Sequence, residues 1–191
     1  MNALAAALPL VLVSVGCHIG PDSATQTTRE AQTRIILTSS VFTDGGSLPA
    51  KFTTAGPDRS PPLEWRALPG DAKELAVVLT EHTPISERTL WVIYNIPIEV
   101  LQLPEAIPID RVITIDGLAG PVQIFQAIND LGTIGYRGPA SSGDSDTTTY
   151  TFRLHALDRH IGLKPGLHAA QALGPISSAT IASATLTANN D

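Results

Sequence analysis

Cysteine is almost missing from this chain. Cys17 stands alone among 191 residues, which excludes an intrachain disulfide framework and a four-cysteine zinc site. Aromatic residues are sparse at 5%, and no cluster of Lys and Arg occurs anywhere. Nucleic acids are bound chiefly through such clusters. With 12 basic against 18 acidic side chains, a net charge of −6, the chain offers no footprint for a phosphate backbone. Long apolar runs are lacking too: Ala3 to Gly16 is the most extended, and a membrane-spanning helix needs about 20 residues. Nor is there a Gly-x-Ser-x-Gly elbow, a P-loop ending in Gly-Lys-Ser/Thr, or a His-x-x-x-His pair backed by a catalytic Glu. No local motif assembles a nucleophile with its base, so the expectation is a non-catalytic protein without cofactor or metal.

What is present is a chain with 43% apolar residues, able to bury about two-thirds of its unfolded surface. Glycine and proline, 15 of each, interrupt the apolar runs and favour short strands and turns over a helical bundle. The first 16 residues carry no charged side chain, and Ala3 to Gly16 is apolar but for Pro9 and Ser14. A run of this length at an N-terminus reads as the hydrophobic region of an export signal, although no Lys or Arg precedes it. Ser14-Val15-Gly16-Cys17 resembles a bacterial lipobox, with Ser14 where Leu is usual. Cys17 is therefore the expected lipidation site, which would attach the protein to a membrane; a plain signal peptide is the alternative. The expected organisation is an export signal over 1–17, a flexible linker over 18–33 rich in Ser, Thr and Gln, and one domain over 34–191.

Within that domain, Ile35 to Thr38 is a short β-prone run, and Asp44-Gly45-Gly46 is a turn signal. Ser60-Pro61-Pro62-Leu63-Glu64-Trp65 is expected to be neither a central strand nor a helix interior, because two prolines remove donors and fix φ. Leu75 to Thr80 and Leu90 to Ile96 are continuous apolar runs, the pattern of strands covered on both faces. Val112 to Ile115 ends in Asp116-Gly117, and Tyr150 to Leu157 alternates as a half-buried strand does. Leu167 to Leu173 is the best helix candidate; Ala179 to Ala188 is open between strand and helix. The fold class is mostly β: an antiparallel sandwich of about 155 residues with one or two short helices.

Two local features invite chemistry. Gly132-Thr133-Ile134-Gly135-Tyr136-Arg137-Gly138-Pro139 is glycine-rich, and such loops expose backbone amides to anions; a tight irregular loop is the competing reading. Asp144-Ser145-Asp146 lacks the Gly and Glu that a calcium loop requires, so a solvated turn is expected.

In order and rough spacing, these segments resemble the phosphatidylethanolamine-binding protein family, in its bacterial Raf-kinase-inhibitor-like branch. The resemblance rests on Phe42 to Gly46 with Leu48-Pro49-Ala50, then Ser60 to Trp65, Leu75 to Leu79 and Trp91 to Pro97. It continues through Asn129 to Tyr136, Gly138-Pro139 and Ala156-Leu157-Asp158. It implies a β-sandwich with short peripheral helices and a small surface pocket for phosphate or phospholipid head groups. In the family that pocket uses an Asp-Pro-Asp-Ala-Pro segment, a His before the second long strand, and a His-Arg-Tyr segment. Here those places hold Glu81-His82-Thr83-Pro84, Leu90 and Thr148-Thr149-Tyr150, while Ala140-Ser141-Ser142 replaces a Cys-Pro-Pro.

Two imidazole donors are therefore lost. At about 1.5–3 kcal/mol for each charge-assisted bond, phosphate affinity should fall by about a hundredfold or more unless other groups compensate. His82, Arg88 and Arg137 are the compensating candidates. The expected ligand-binding set is Glu81, His82, Pro84, Leu90, Gly135, Tyr136, Gly138, Thr148 and Tyr150. The expectation is an exported, lipid-anchored binding protein of the cell envelope or periplasm, with an altered pocket for a small polar or anionic ligand. The alternative is a protein-interaction or inhibitor-like module on the same scaffold, with a vestigial pocket.

Overall fold

In a computed structural model, which describes residues 34–140 and 148–189, ten strands form two sheets. Three strands make the smaller sheet, in the order β1 (Ile36–Thr38), β3 (Leu63–Arg66), β6 (Gln102–Leu103). The larger sheet has seven, in the order β2 (Gly46–Ser47), β10 (Thr180–Asn189), β9 (Thr149–Leu157), β4 (Glu74–His82), β5 (Glu87–Pro97), β8 (Gly120–Gln126), β7 (Val112–Gly117). Every pairing is antiparallel except the two-residue contact of β2 with β10. The segments expected to be an export signal and a linker, Cys17, Ser141-Ser142 and Asp144 to Asp146 lie outside the described residues.

The unbroken apolar runs of β4 and β5 follow from cover on both faces. Leu75, Val77 and Leu79 of β4, with Trp91 and Ile93 of β5, pack in the core shared with Leu37, Leu63, Trp65 and Leu103 of the small sheet. Between them Ala76, Val78, Val92 and Tyr94 point the other way, into a second cluster with the helix α1 (Ala169–Ala179). Side chains alternate across a strand, so two covered faces demand apolar residues at every position. Ala169, Ala172, Ile176 and Ala179 form the buried stripe of α1, at a spacing that keeps one face on the sheet. At its N-terminus the Gln171 side-chain oxygen accepts from the His168 amide at 3.0 Å, and the Gln171 amide donates to the His168 carbonyl.

Two expectations change, and a third segment that composition left open is resolved. Leu63 to Arg66 is the middle strand of the small sheet, because Pro61 and Pro62 fall before it and leave its own amides free to pair. The helix begins at Ala169 and runs past Leu173 to Ala179 with Pro175 inside it. Proline forfeits one backbone donor there, and burial of Ile176 and Ala179 beyond it offsets the loss. Ala179 to Ala188, left open by composition, holds the last residue of α1 and then strand β10, which is paired along its length with β9.

A titratable group ties α1 to the sheet. Thr180 Oγ1 donates to the Ile176 carbonyl at 2.7 Å, so its contact with His155 Nδ1 at 3.1 Å makes that nitrogen the donor. Burial, helped by the charge of Arg153, pushes the His155 pKa down from 6.5 to about 4. A lowered folded-state pKa means the unfolded chain binds the proton first. The stabilisation from neutral His155 is complete above pH 6.5 and is lost as pH falls through about 4. We expect His155→Gln, which keeps a donor but cannot titrate, to flatten the fall in unfolding free energy across that window by about 2–3 kcal/mol. Urea melts of both proteins at neutral and acid pH measure it; parallel pH profiles would refute it.

Candidate functional site

The β4–β5 hairpin and its neighbour β9 line up three polar side chains across adjacent strands. Glu81 is in register with Arg88 on one side and Tyr150 on the other. Arg88 donates from Nε and Nη2 to Glu81 Oε2, both at 2.7 Å. The Tyr150 hydroxyl donates to Glu81 Oε1 at 3.3 Å. Glu81 is buried, with 7% of its side chain exposed, whereas the Arg88 side chain is 49% exposed. Burial, followed by the Glu81 charge, raises the Tyr150 pKa to about 12, so its hydroxyl is a donor and not a base at neutral pH.

Across from this row stands a second pair. Arg137 Nη1 lies 3.1 Å from Asp58 Oδ2, and the Gly138 amide donates to Asp58 Oδ1 at 2.7 Å. Asp58 sits at φ 58°, a left-handed conformation that Asp tolerates better than most residues. Its loop is clamped to the glycine-rich segment at further points. Thr54 donates from its amide (2.9 Å) and its hydroxyl (3.0 Å) to the Pro139 carbonyl, and the Tyr136 hydroxyl donates to the Phe52 carbonyl at 2.6 Å. From the other side Asn129 holds the turn: its amide nitrogen donates to the Leu90 and Gly135 carbonyls, and its oxygen accepts from the Leu131 and Thr133 amides.

The two pairs border a cleft of about 200 Å³ lined by Thr54, Glu81, Arg88, Leu90, Leu131, Arg137, Gly138 and Ala140. Its chemistry is two half-exposed guanidiniums, each oriented by a carboxylate, beside an apolar wall of Leu90 and Leu131. Arg88 spends two N–H groups on Glu81 and Arg137 one on Asp58, which leaves further donors on both forks.

Of the expected residues, the structure brings Glu81, Leu90 and Gly138 to this cleft, with Tyr150 behind Glu81. Others stand apart from its lining. His82 Nδ1 faces Glu87 Oε2 at 3.1 Å across the hairpin. Pro84 is exposed in the turn that follows, and Thr148 is half-buried just before β9. Tyr136 is buried against Trp91 and the Phe52 carbonyl, and Gly135 against the Gln126 side chain. The glycine-rich loop needs a correction as an anion cradle. The amides of Gly135, Arg137 and Gly138 donate to Ala127 O, Leu90 O and Asp58 Oδ1, so they are spent on the fold. Sequence reasoning missed Thr54, Asp58 and Leu131; no motif marks Asp58, which reaches Gly138 across 80 positions.

Two sheets enclosing an apolar core, with a small charged cleft at one end of the central hairpin, define a β-sandwich. The family model for "Phosphatidylethanolamine-binding protein" matches residues 38–191. A UPF0098 protein of Methanothermobacter thermautotrophicus is 40% identical over 131 residues, 68% of this chain and 81% of the relative. The Mycobacterium tuberculosis protein LppC, named as a candidate lipoprotein, is 29% identical over 153 residues, 80% of this chain and 70% of its own. Among solved structures, Escherichia coli YbcL, titled a member of the mammalian PEBP family, superposes with a TM-score of 0.72 at 25% identity. That match covers 83% of this chain and 98% of YbcL. The chain belongs to the phosphatidylethanolamine-binding protein family.

Proposed function

We propose that this family member is an exported, non-catalytic binding protein that holds a small oxyanion-bearing ligand between Arg88 and Arg137. The observation that carries the reading is the pairing of each guanidinium with a carboxylate that orients it, at opposite sides of one cleft. Arginine presents a planar fork matched to phosphate and carboxylate oxygens. The two forks take over the charged donor role of the imidazoles, whose places hold the apolar Leu90 and the neutral hydroxyl of Thr148.

The carboxylates also set the strength. Two cations and two anions sum to zero formal charge, so the ligand gains directed hydrogen bonds without a strong attractive field. Two charge-assisted bonds of about 1.5–3 kcal/mol each sum to about 3–6 kcal/mol, a range that brackets the roughly 4 kcal/mol of millimolar binding, so the affinity should be no tighter than that order. Leu90 and Leu131 give the ligand's organic part an apolar surface, which favours an organic phosphate over the bare ion. Tyr150 as a protonated phenol and Glu81 as a committed acceptor leave no evident nucleophile or base, which supports the non-catalytic reading.

Export rests on the apolar segment before Cys17 and on the lipoprotein name of the mycobacterial relative. Under this reading Cys17 carries the lipid, and the protein resides at the cell envelope. Among the described residues no helix is long and apolar enough to cross a membrane. Calorimetric titration of the full chain with phosphate and phosphoethanolamine tests the binding claim. Saturable heat at millimolar ligand supports it, and its absence for both compounds overturns it.

A further inference from the structure

One buried carboxyl group plays no part in the cleft. Glu74 opens β4, at the opposite end of the strand from Glu81, and its side chain is only 2% exposed. Opposed residues of an antiparallel pair share a face of the sheet, and Glu74 stands opposite Leu157 of β9. Leu157 packs with Ala76, Val78 and the buried stripe of α1, so the carboxyl group lies at the border of that apolar cluster. Its Oε2 meets His160 Nδ1 at 3.2 Å, and the Ile161 amide also bonds to it. Oε1 is buried, and among the described residues no group donates to it. A buried carboxylate oxygen without a donor is costly, and protonation of the group removes most of that cost.

Both partners come from one loop. Its ends are fixed: the Asp158 amide donates to the Ala179 carbonyl, and the Lys164 carbonyl takes the Tyr94 hydroxyl at 2.7 Å. Between them, among the described residues, no backbone–backbone hydrogen bond holds residues 159–163. Ile161 and Leu163 lie partly buried against the α1 cluster, while Arg159 turns to Asp158 and Ser178. His160 is the cation that faces Glu74, from a side chain that is 76% exposed. The other neighbours supply none. His155 of β9, opposite Ala76, is neutral above about pH 4; β5 offers Pro97; α1 has no charged residue; Lys73 is exposed before the strand.

We propose that residues 159–163 form a proton-operated latch, closed over the α1 cluster while the Glu74–His160 pair holds a proton and released when that proton is lost. With one proton the pair is neutral overall, as carboxylate with imidazolium or as acid with imidazole. Without it, a carboxylate with one unsatisfied oxygen is left in an apolar setting beside an uncharged ring. Burial raises the Glu74 pKa above 4.5, against the opposing pull of His160 and the Ile161 amide. The closed form therefore binds the proton more tightly than the open one. Closure is fully favoured below pH 4.5 and weakens as pH rises through the folded-state value, the reverse of the dependence at His155.

NMR of the full chain between about pH 4 and 9 tests this, following the Glu74 carboxyl carbon and the amides of residues 159–163. The carbon should titrate above 4.5, and the loop amides should move with the same midpoint. Above it, the Ile161 amide should exchange about tenfold faster than in Glu74→Gln, the ratio at each pH cancelling the intrinsic rate. His160→Ala, a change at an exposed side chain, should move the Glu74 midpoint further up, because it removes the group that opposes burial. It tests the pair even where Glu74→Gln does not fold. A Glu74 that titrates at or below 4.5 overturns the latch, as does an exchange ratio flat with pH or a midpoint indifferent to His160.

Discussion

Replacing Arg88 and Arg137 together with methionine should lower phosphate affinity by about a hundredfold or more, taking it out of the measurable range. Each guanidinium contributes a charge-assisted bond of about 1.5–3 kcal/mol, and tenfold in affinity corresponds to about 1.4 kcal/mol. The loss is compounded because Glu81 and Asp58 then face the anion with no cation between them. Methionine retains the apolar stem that both arginines lay along the cleft wall.

The single variants should separate the two sides. Arg137→Met leaves Asp58 still holding the Gly138 amide, so the loop keeps its place and only affinity suffers, by about tenfold. Arg88→Met strands a carboxylate that is 7% exposed, so stability falls as well; Arg88→Met/Glu81→Gln removes the buried charge and isolates the binding effect. Calorimetry with phosphate, run beside thermal melts, distinguishes these outcomes. Unchanged affinity in the double Arg variant would place the ligand elsewhere.

Gly138→Ala should be among the most damaging small substitutions in the domain, at about 3–5 kcal/mol. A Cβ at that position would overlap the Phe52 carbonyl oxygen, and would stand 2.9 Å from the Thr53 Cα and 2.8 Å from Asp58 Oδ1. The first two are backbone atoms, which cannot swing aside as the end of a flexible side chain can. Relief requires the loop of Asp58 to withdraw, which breaks the Gly138–Asp58 bond and releases Arg137. At about 2–4 °C per kcal/mol for a domain of this size, the melting temperature should drop by about 6–20 °C. Gly132→Ala is the control. Gly132 also lies in the loop, at φ +79°, but nothing approaches its missing Cβ within 4 Å. It should cost only the left-handed strain, about 1–2 kcal/mol. Equal melting temperatures for the two variants would show that the close approach at Gly138 is not what holds the loop.

How far the sequence carried depended on whether the cause of an element was local. The strands β4, β5, β7 and β9 follow from hydrophobic patterning alone, because burial on one or two faces writes itself into alternation or continuity. Strand β3 was obscured by Pro61-Pro62, which bend the chain before it without entering it. Strand β8 went unread because Gly120 and Pro121 open it, although Pro121 sits at the sheet's β7 hairpin, where a turn excuses its missing donor.

At the cleft the same division holds. Glu81, Leu90 and Tyr150 were reachable because they stand where the family keeps its pocket, and Arg88 and Arg137 because they lie on the right segments. Asp58 was not, since its role depends on a distant loop folding over Gly138. The glycines between 132 and 138 admit two readings from sequence, a loop that offers amides to an anion and a tight irregular loop, and their amides bond within the fold as the second requires. Glycine content says that a backbone can come close to something; it does not say that the something is another part of the same chain.

Two-dimensional amide NMR of the full chain, titrated with phosphate and then phosphoethanolamine, tests the central claim most directly. The predicted result is a set of shifts that saturates at millimolar ligand. It should be concentrated at Thr54, Asp58, Glu81, Arg88, Leu131, Arg137 and Gly138, with both compounds moving the same amides. Shifts confined to other parts of the sandwich, or none at millimolar concentrations of either compound, would contradict the assignment of this cleft as an oxyanion site.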